Sequence, residues 1–157
     1  MIRVKLIMVG KIKENWIREG VGYYKKLLKP HVDLDIVEIK EEKITDPRSV
    51  KYVLEKEADR ILSSLEETGL GIVLDVKGEN MSSEGLAKFF EMYLNRGENA
   101  FTFIVGGASG LSPKVINVCP VKLSLSRMTF THEMSRIILL EQIYRAFSII
   151  RGTRYHK

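Results

Sequence analysis

An α/β fold, with a mostly parallel sheet flanked by helices, is what this 157-residue sequence predicts. Short apolar runs alternate with amphipathic helical patterns along the chain. Two of the runs, 72–74 and 101–105, are continuously apolar, as expected of strands covered on both faces. The runs at 101–105 and 121–126 each empty into a loop of unusual chemistry, and the second leads at once into a long helix.

Taken in order, Ile2, Val4, Leu6 and Met8 alternate with Arg3, Lys5 and Ile7, which is the period of a strand. The two charges argue against an export signal or a membrane span. Ile17, Val21, Tyr24 and Leu28 recur at helical spacing over 14–29, and Pro30 stops that helix. Leu34, Ile36 and Ile39 mark a second strand, followed by a charged loop at 40–43. Asp46 and Pro47 supply an N-cap and a proline at the first helical position. From there Val50, Leu54, Ala58, Ile61 and Leu65 carry a helix to about Glu66. The strand at 72–74 ends at Asp75. Ser82 or Ser83 caps the next helix, whose Leu86, Phe90 and Tyr93 face inward before Gly97 stops it.

After the strand at 101–105, the loop Gly106, Gly107, Ala108, Ser109 and Gly110 can bring bare backbone amides against a ligand. Ser112 and Pro113 start a short helix through Val118, and residues 121–126 form the last strand. The final helix, about 133–151, carries apolar residues around most of its circumference, more than one core requires. Its second surface is read as a two-fold subunit interface, the competing reading being a central core helix in a monomer.

No repeat, low-complexity tract or linker divides the chain, so residues 1–157 are expected to form a single domain. With 45% hydrophobic and 29% charged residues it has the composition of a soluble globular protein. The single cysteine, Cys119, cannot form an internal disulfide and is expected to be a small buried residue. No signal peptide is evident, so the expected location is the reducing cytoplasm. The net charge of +5 is unevenly spread. Residues 113–157 carry eight Lys and Arg against Glu133 and Glu141, so all the excess positive charge lies beside the last two loops and in the tail. That pattern favours a polyanionic partner such as RNA.

Several chemistries are excluded. The glycines of 106–110 lack the spacing of a dinucleotide site, and the loop runs into Leu111, Ser112 and Pro113 where a phosphate-binding loop needs lysine and a hydroxyl. His31, His132 and His156 are far apart in sequence, so no metal site is expected. What remains is a ligand site between two adjacent strand ends. Residues 124–132, SLSRMTFTH, mix apolar and hydroxyl side chains as a wall against a flat heterocycle would. The tail of Gly152, Thr153, Arg154, Tyr155, His156 and Lys157 joins cation, phenol and imidazole, an inventory for gripping phosphate and stacking on a base.

These segments carry a family resemblance. FIVGGASGL at 103–111, LSLSRMTFTHEMSR at 123–136, LEQIYRAF at 140–147 and RGTRYHK at 151–157, with IMVGK at 7–11, resemble the ribosomal RNA large-subunit methyltransferase H proteins of the SPOUT class. The likeness extends over essentially the whole chain. One departure is Thr131, where the family usually has proline; a hydroxyl N-cap should preserve the helix start.

The resemblance implies an S-adenosylmethionine-dependent enzyme that methylates N3 of a pseudouridine in large-subunit rRNA or the assembled ribosome. It also implies a homodimer and a trefoil knot in the carboxyl half. Cofactor contacts would come from Leu74, Asp75, Gly106, Gly107, Ser126, Arg127, Met128, Thr129, Phe130 and Thr131. His132, Tyr155 and His156 are candidate bases or relays, and Arg154 would steady charge on the base or hold its phosphate. Arg127 and Arg136 read equally as RNA contacts or structural pairs. The competing function is a non-catalytic RNA-binding ribosome assembly factor. A small-molecule enzyme is a third reading, and it would not concentrate positive charge in the tail.

Overall fold

Arg3–Val9 forms the first strand, β1, and its alternation does not separate a wet face from a dry one. Val4, Leu6 and Met8 enter one core while Ile7 and Val9 enter another, because helices cover both faces of the sheet. The computed structural model describes residues 1–65 and 69–156. The expected helix end at Glu66 and the terminal Lys157 lie outside them.

Helix α1 (Asn15–Leu28) follows β1, then β2 (Asp33–Ile39), α2 (Val50–Ser64), β3 (Leu70–Asn80), α3 (Ser83–Asn95), β4 (Ala100–Val105), α4 (Pro113–Val118), β5 (Val121–Ser124) and α5 (His132–Ile150). The five strands are all parallel, in the order β2-β1-β4-β3-β5. Helices α1, α3 and α5 pack on one face around Phe90, Phe103 and Phe147; α2 and α4 cover the other around Ile104, Val115 and the buried Cys119.

Five expectations shift. The strand expected to end at Asp75 runs on to Asn80 as β3, because Glu79 and Asn80 pair again with β5. Asp46 does cap, accepting from the Arg48 amide at 2.9 Å, but what it starts is a 3-10 turn, Pro47–Ser49, that runs into α2. The inward face of α2 is Val53, Glu57, Ala58 and Ile61 rather than one led by Val50 and Leu54. Strand β5 ends at Ser124, two residues early, because Leu125 and Ser126 turn away into the following loop. The two strand ends taken as adjacent are not neighbours: β3 lies between β4 and β5.

The girth of α5 has an explanation within one chain. It lies between α1 and α3, and no residue from His132 to Ile150 is fully exposed. Gly20 on α1 permits the close approach, since a Cβ there would lie 2.7 Å from the Ile137 Cδ1 atom. Leu139, Leu140 and Ile143 belong to the core. Ile138 is half-buried and stands outside the core cluster.

Candidate active site

The carboxyl ends of β4 and β5, with the middle of β3 where its pairing breaks after Leu74, open into one cavity of about 900 Å³, the region where open α/β sheets hold ligands. Leu74, Asp75 and Val76 line it from β3, and Gly106, Gly107 and Gly110 from the loop after β4. Leu125, Ser126 and Met128, Thr129, Phe130 and Thr131 follow from the loop after β5. The first turn of α5 adds His132 and Glu133, and the start of α1 adds Glu14, Trp16 and Ile17.

Steric requirements at glycine shape two of these walls. At Gly106 a Cβ would lie 2.8 Å from the Gly110 carbonyl oxygen and 2.9 Å from the Leu111 Cγ atom, so only glycine lets the loop fold back on itself. The turn closes with the Gly110 amide donating to the Gly107 carbonyl at 3.0 Å. In β3, both Leu74 and Glu79 pair with Leu123 of β5, and the residues between them bulge toward the cavity. Gly78 permits the bulge: a Cβ there would lie 2.7 Å from the Lys122 carbonyl carbon and oxygen.

The hydroxyl groups of 124–131 serve the loop more than a ligand. Ser124 Oγ donates to the Ser126 carbonyl at 2.9 Å, and Ser126 Oγ accepts from the Met128 amide at 3.0 Å. Thr131 Oγ1 accepts from the Met134 amide at 3.2 Å, so the N-cap expected at the departure from proline is present. The surfaces left to a ligand are the apolar side chains Leu74, Leu125, Met128 and Phe130 together with the backbone.

The lining is acidic. It holds Glu14, Asp75 and Glu133 and, among the described residues, no Lys or Arg. Glu133 is held by the Lys13 amide, which donates to its carboxylate. One turn further along α5, Arg136 is fully buried, and its Nη2 donates to the Val9 and Gly10 carbonyls at 2.7 and 2.9 Å. It fastens the start of α5 to the end of β1, so it is a structural residue and not an RNA contact. Burial pushes its guanidinium below the ordinary arginine range, against the pull of Glu133, Glu38 and Glu41.

The tail lies elsewhere in the chain. Tyr155 donates to the Glu141 carboxylate at 3.2 Å, under the Arg145 guanidinium and edge-on to Tyr144. Glu141 is about 13 Å along the helix axis from His132 at 1.5 Å per residue. Burial, with hydrogen bonds and charge from Tyr24 and Glu141, pushes the Tyr155 phenol well above its ordinary range. Its hydroxyl is a hydrogen-bond donor in this arrangement. His156 Nδ1 lies 3.2 Å from an Arg145 nitrogen and Nε2 2.7 Å from the Glu84 carboxylate. Since arginine only donates, Nδ1 accepts and Nε2 carries the proton toward Glu84. Arg154 is exposed.

A family model described as a predicted SPOUT methyltransferase matches residues 2–156. Ribosomal RNA large subunit methyltransferase H of Halothermothrix orenii is 46% identical, over 99% of this chain and 100% of its own. The protein of the same name from Carboxydothermus hydrogenoformans is 43% identical over the same shares. The chain belongs to the ribosomal RNA large subunit methyltransferase H family of SPOUT methyltransferases. A probable methyltransferase from Bordetella pertussis Tohama I, at 14% identity, shares the fold with a TM-score of 0.60, covering 92% of this chain and 94% of that one.

Within this SPOUT methyltransferase, nine of the ten residues expected to hold the cofactor line the cavity; Arg127 is exposed and does not. Of the expected catalytic residues, His132 lines it, whereas Arg154, Tyr155 and His156 do not. Sequence reasoning missed Glu14, Trp16, Val76, Glu133 and Gly78. The one available signal was Trp16 itself, the only tryptophan in the chain, set where α1 begins. Among the described residues no group of His, Cys, Asp and Glu is placed to hold a metal, and no helix is long and apolar enough to cross a membrane.

Proposed function

We propose that the chain transfers a methyl group from S-adenosylmethionine to N3 of a pseudouridine in large-subunit ribosomal RNA, in the cytoplasm and as a homodimer with a knotted carboxyl half. One observation carries the cofactor: a cavity at the ends of β4 and β5 and the bulge of β3, walled by backbone, apolar side chains and three carboxylates, with no Lys or Arg in its described lining. That lining suits a cationic sulfonium, and it sets carboxylates with no Lys or Arg against the phosphates of ATP or NAD. The acceptor rests on the relatives, which are named for ribosomal RNA of the large subunit.

S-adenosylmethionine, when bound, supplies an electrophilic methyl group. The chain's own residues do the rest. Leu74, Leu125 and Met128 pack a flat heterocycle while the backbone at 106–107 and 126–131 meets its edge. Glu14, Asp75 and Glu133 complement positive charge, and holding the reactants in line provides much of the acceleration. His132, on the first turn of α5, is the cavity side chain suited to take the ring proton. Tyr155 and His156 are engaged with Glu141, Arg145 and Glu84 away from the cavity of their own chain. Their part, and that of Arg154 toward phosphate, falls to the cavity of a second copy.

A non-catalytic assembly factor would need no such cavity. Calorimetry separates the two: S-adenosylmethionine or its demethylated product should bind at about one site per chain, with no heat from ATP or NAD. No binding of either cofactor form would overturn the methyltransferase reading.

A further inference from the structure

Trp16 stands at the start of α1 with 56% of its surface exposed, although its neighbour Ile17 is 1% exposed and locked in the core. It lines the same cavity as the strand-end loops. Nine large apolar side chains are exposed among the described residues, and three of them, Trp16, Val76 and Met128, edge this one cavity. Such a concentration marks a contact surface rather than scattered surface hydrophobicity.

Resting on the function proposed above, we propose that Trp16 is the stacking platform for the acceptor base. Chemistry at a ring nitrogen requires the base to leave its stack, and an unstacked base is held on an aromatic face. Strand order sets this platform apart from the part of the cofactor wall that β3 supplies. Helix α1 begins beyond the carboxyl end of β1, and β4 stands between β1 and β3. Leu74 of the heterocycle wall comes from β3, two strands from β1, whereas the start of α1 meets the first turn of α5, where the Lys13 amide holds Glu133. Glu14, exposed beside Trp16, repels phosphate and can only accept hydrogen bonds, which suits a base edge bearing N–H groups.

The test is steady-state methylation of ribosomes by the full-length protein, with cofactor affinity measured separately by calorimetry. Trp16→Ala should raise KM for ribosomes by roughly tenfold, Trp16→Phe should restore it nearly to wild type, and affinity for S-adenosylhomocysteine should stay the same in both. Because Trp16 is the only tryptophan, its fluorescence reads the site directly and should change little when S-adenosylhomocysteine alone saturates the protein. Melting curves and sedimentation establish that both variants fold and assemble like wild type. An unchanged KM in Trp16→Ala would overturn the proposal, as would a matching loss of cofactor affinity, which would make Trp16 part of the adenine wall, or a loss of assembly, which would make it an interface residue. Failure of the methyltransferase reading looks different, since wild type would then bind no cofactor and methylate nothing.

Discussion

Gly106 and Glu57 show how single residues set pocket shape and stability. At Gly106 a methyl group meets the Gly110 carbonyl and Leu111, both on the far side of the same loop, so Gly106→Ala must open the turn that edges the cavity. The expected result is loss of S-adenosylmethionine binding by calorimetry with a stability cost of about 1–3 kcal/mol. Gly110→Ala, at φ +82° with nothing within 4 Å, should instead be a matter of local backbone strain. Glu57 is 5% exposed; burial raises its carboxyl, opposed by the Glu42 amide that donates to it at 3.0 Å. A carboxyl with a raised folded pKa favours the folded state most below the unfolded value and loses that contribution as pH climbs through the folded one. Glu57→Gln keeps an acceptor for the Glu42 amide without the charge. Its melting temperature should therefore exceed wild type at neutral pH, with the difference vanishing below about pH 4. Neither residue's role could be read from the sequence in full. The glycine loop was visible as glycine, but a charge count cannot see burial: Arg136 entered the positive excess of 113–157, with RNA contact and structural pairing equally open to it, while it sits in the core, and nothing in the sequence singled out Glu57.

Among elements, the strands and most helices were legible because their patterns follow from one-dimensional periodicity and capping chemistry. Ser82, Ser112 and Thr131 each cap the helix expected of them. What periodicity cannot supply is which element lies beside which, hence the misplaced adjacency of β4 and β5 and the hidden partners of α5. The β3 bulge was equally invisible, because its cause is the approach of a different strand at Gly78. Two glycines make the contrast measurable. Gly22, on α1, has open space where a Cβ would stand, so Gly22→Ala should stabilise the protein by about 1 kcal/mol through helix propensity alone. Gly78→Ala would press on the β5 backbone, and backbone cannot rotate away as a side chain can. It should destabilise by more than 1 kcal/mol and weaken cofactor binding, since the bulge carries Asp75 and Val76 into the cavity. Chemical denaturation of both variants checks the opposite signs.

At the scale of the whole molecule, each chain keeps its cavity and its tail apart. The cavity gathers around the start of α5, while Tyr155 and His156 are fastened beside Glu141, Arg145 and Glu84, away from it. If a second copy supplies the tail, two different lesions should complement one another. Gly106→Ala loses the cavity and keeps the tail; deletion of residues 154–157 keeps the cavity and loses the tail. Each alone should be inactive on ribosomes. Mixed and allowed to exchange subunits, they pair at random, and only the mixed dimer has an intact cavity facing an intact tail, at one of its two sites. Activity should therefore return to about a quarter of wild type. A tail that acted on its own chain would restore nothing. The same assembly is open to a direct probe at Ile138, which is half-buried and outside the core cluster. Leu139 is unsuitable for this purpose, because a charge there would unfold the core itself. Ile138→Glu should leave a folded chain that sediments as a monomer and still binds cofactor weakly or normally, yet it should abolish both methyl transfer and the complementation. Dimers that survive this substitution intact would place the interface elsewhere on the chain.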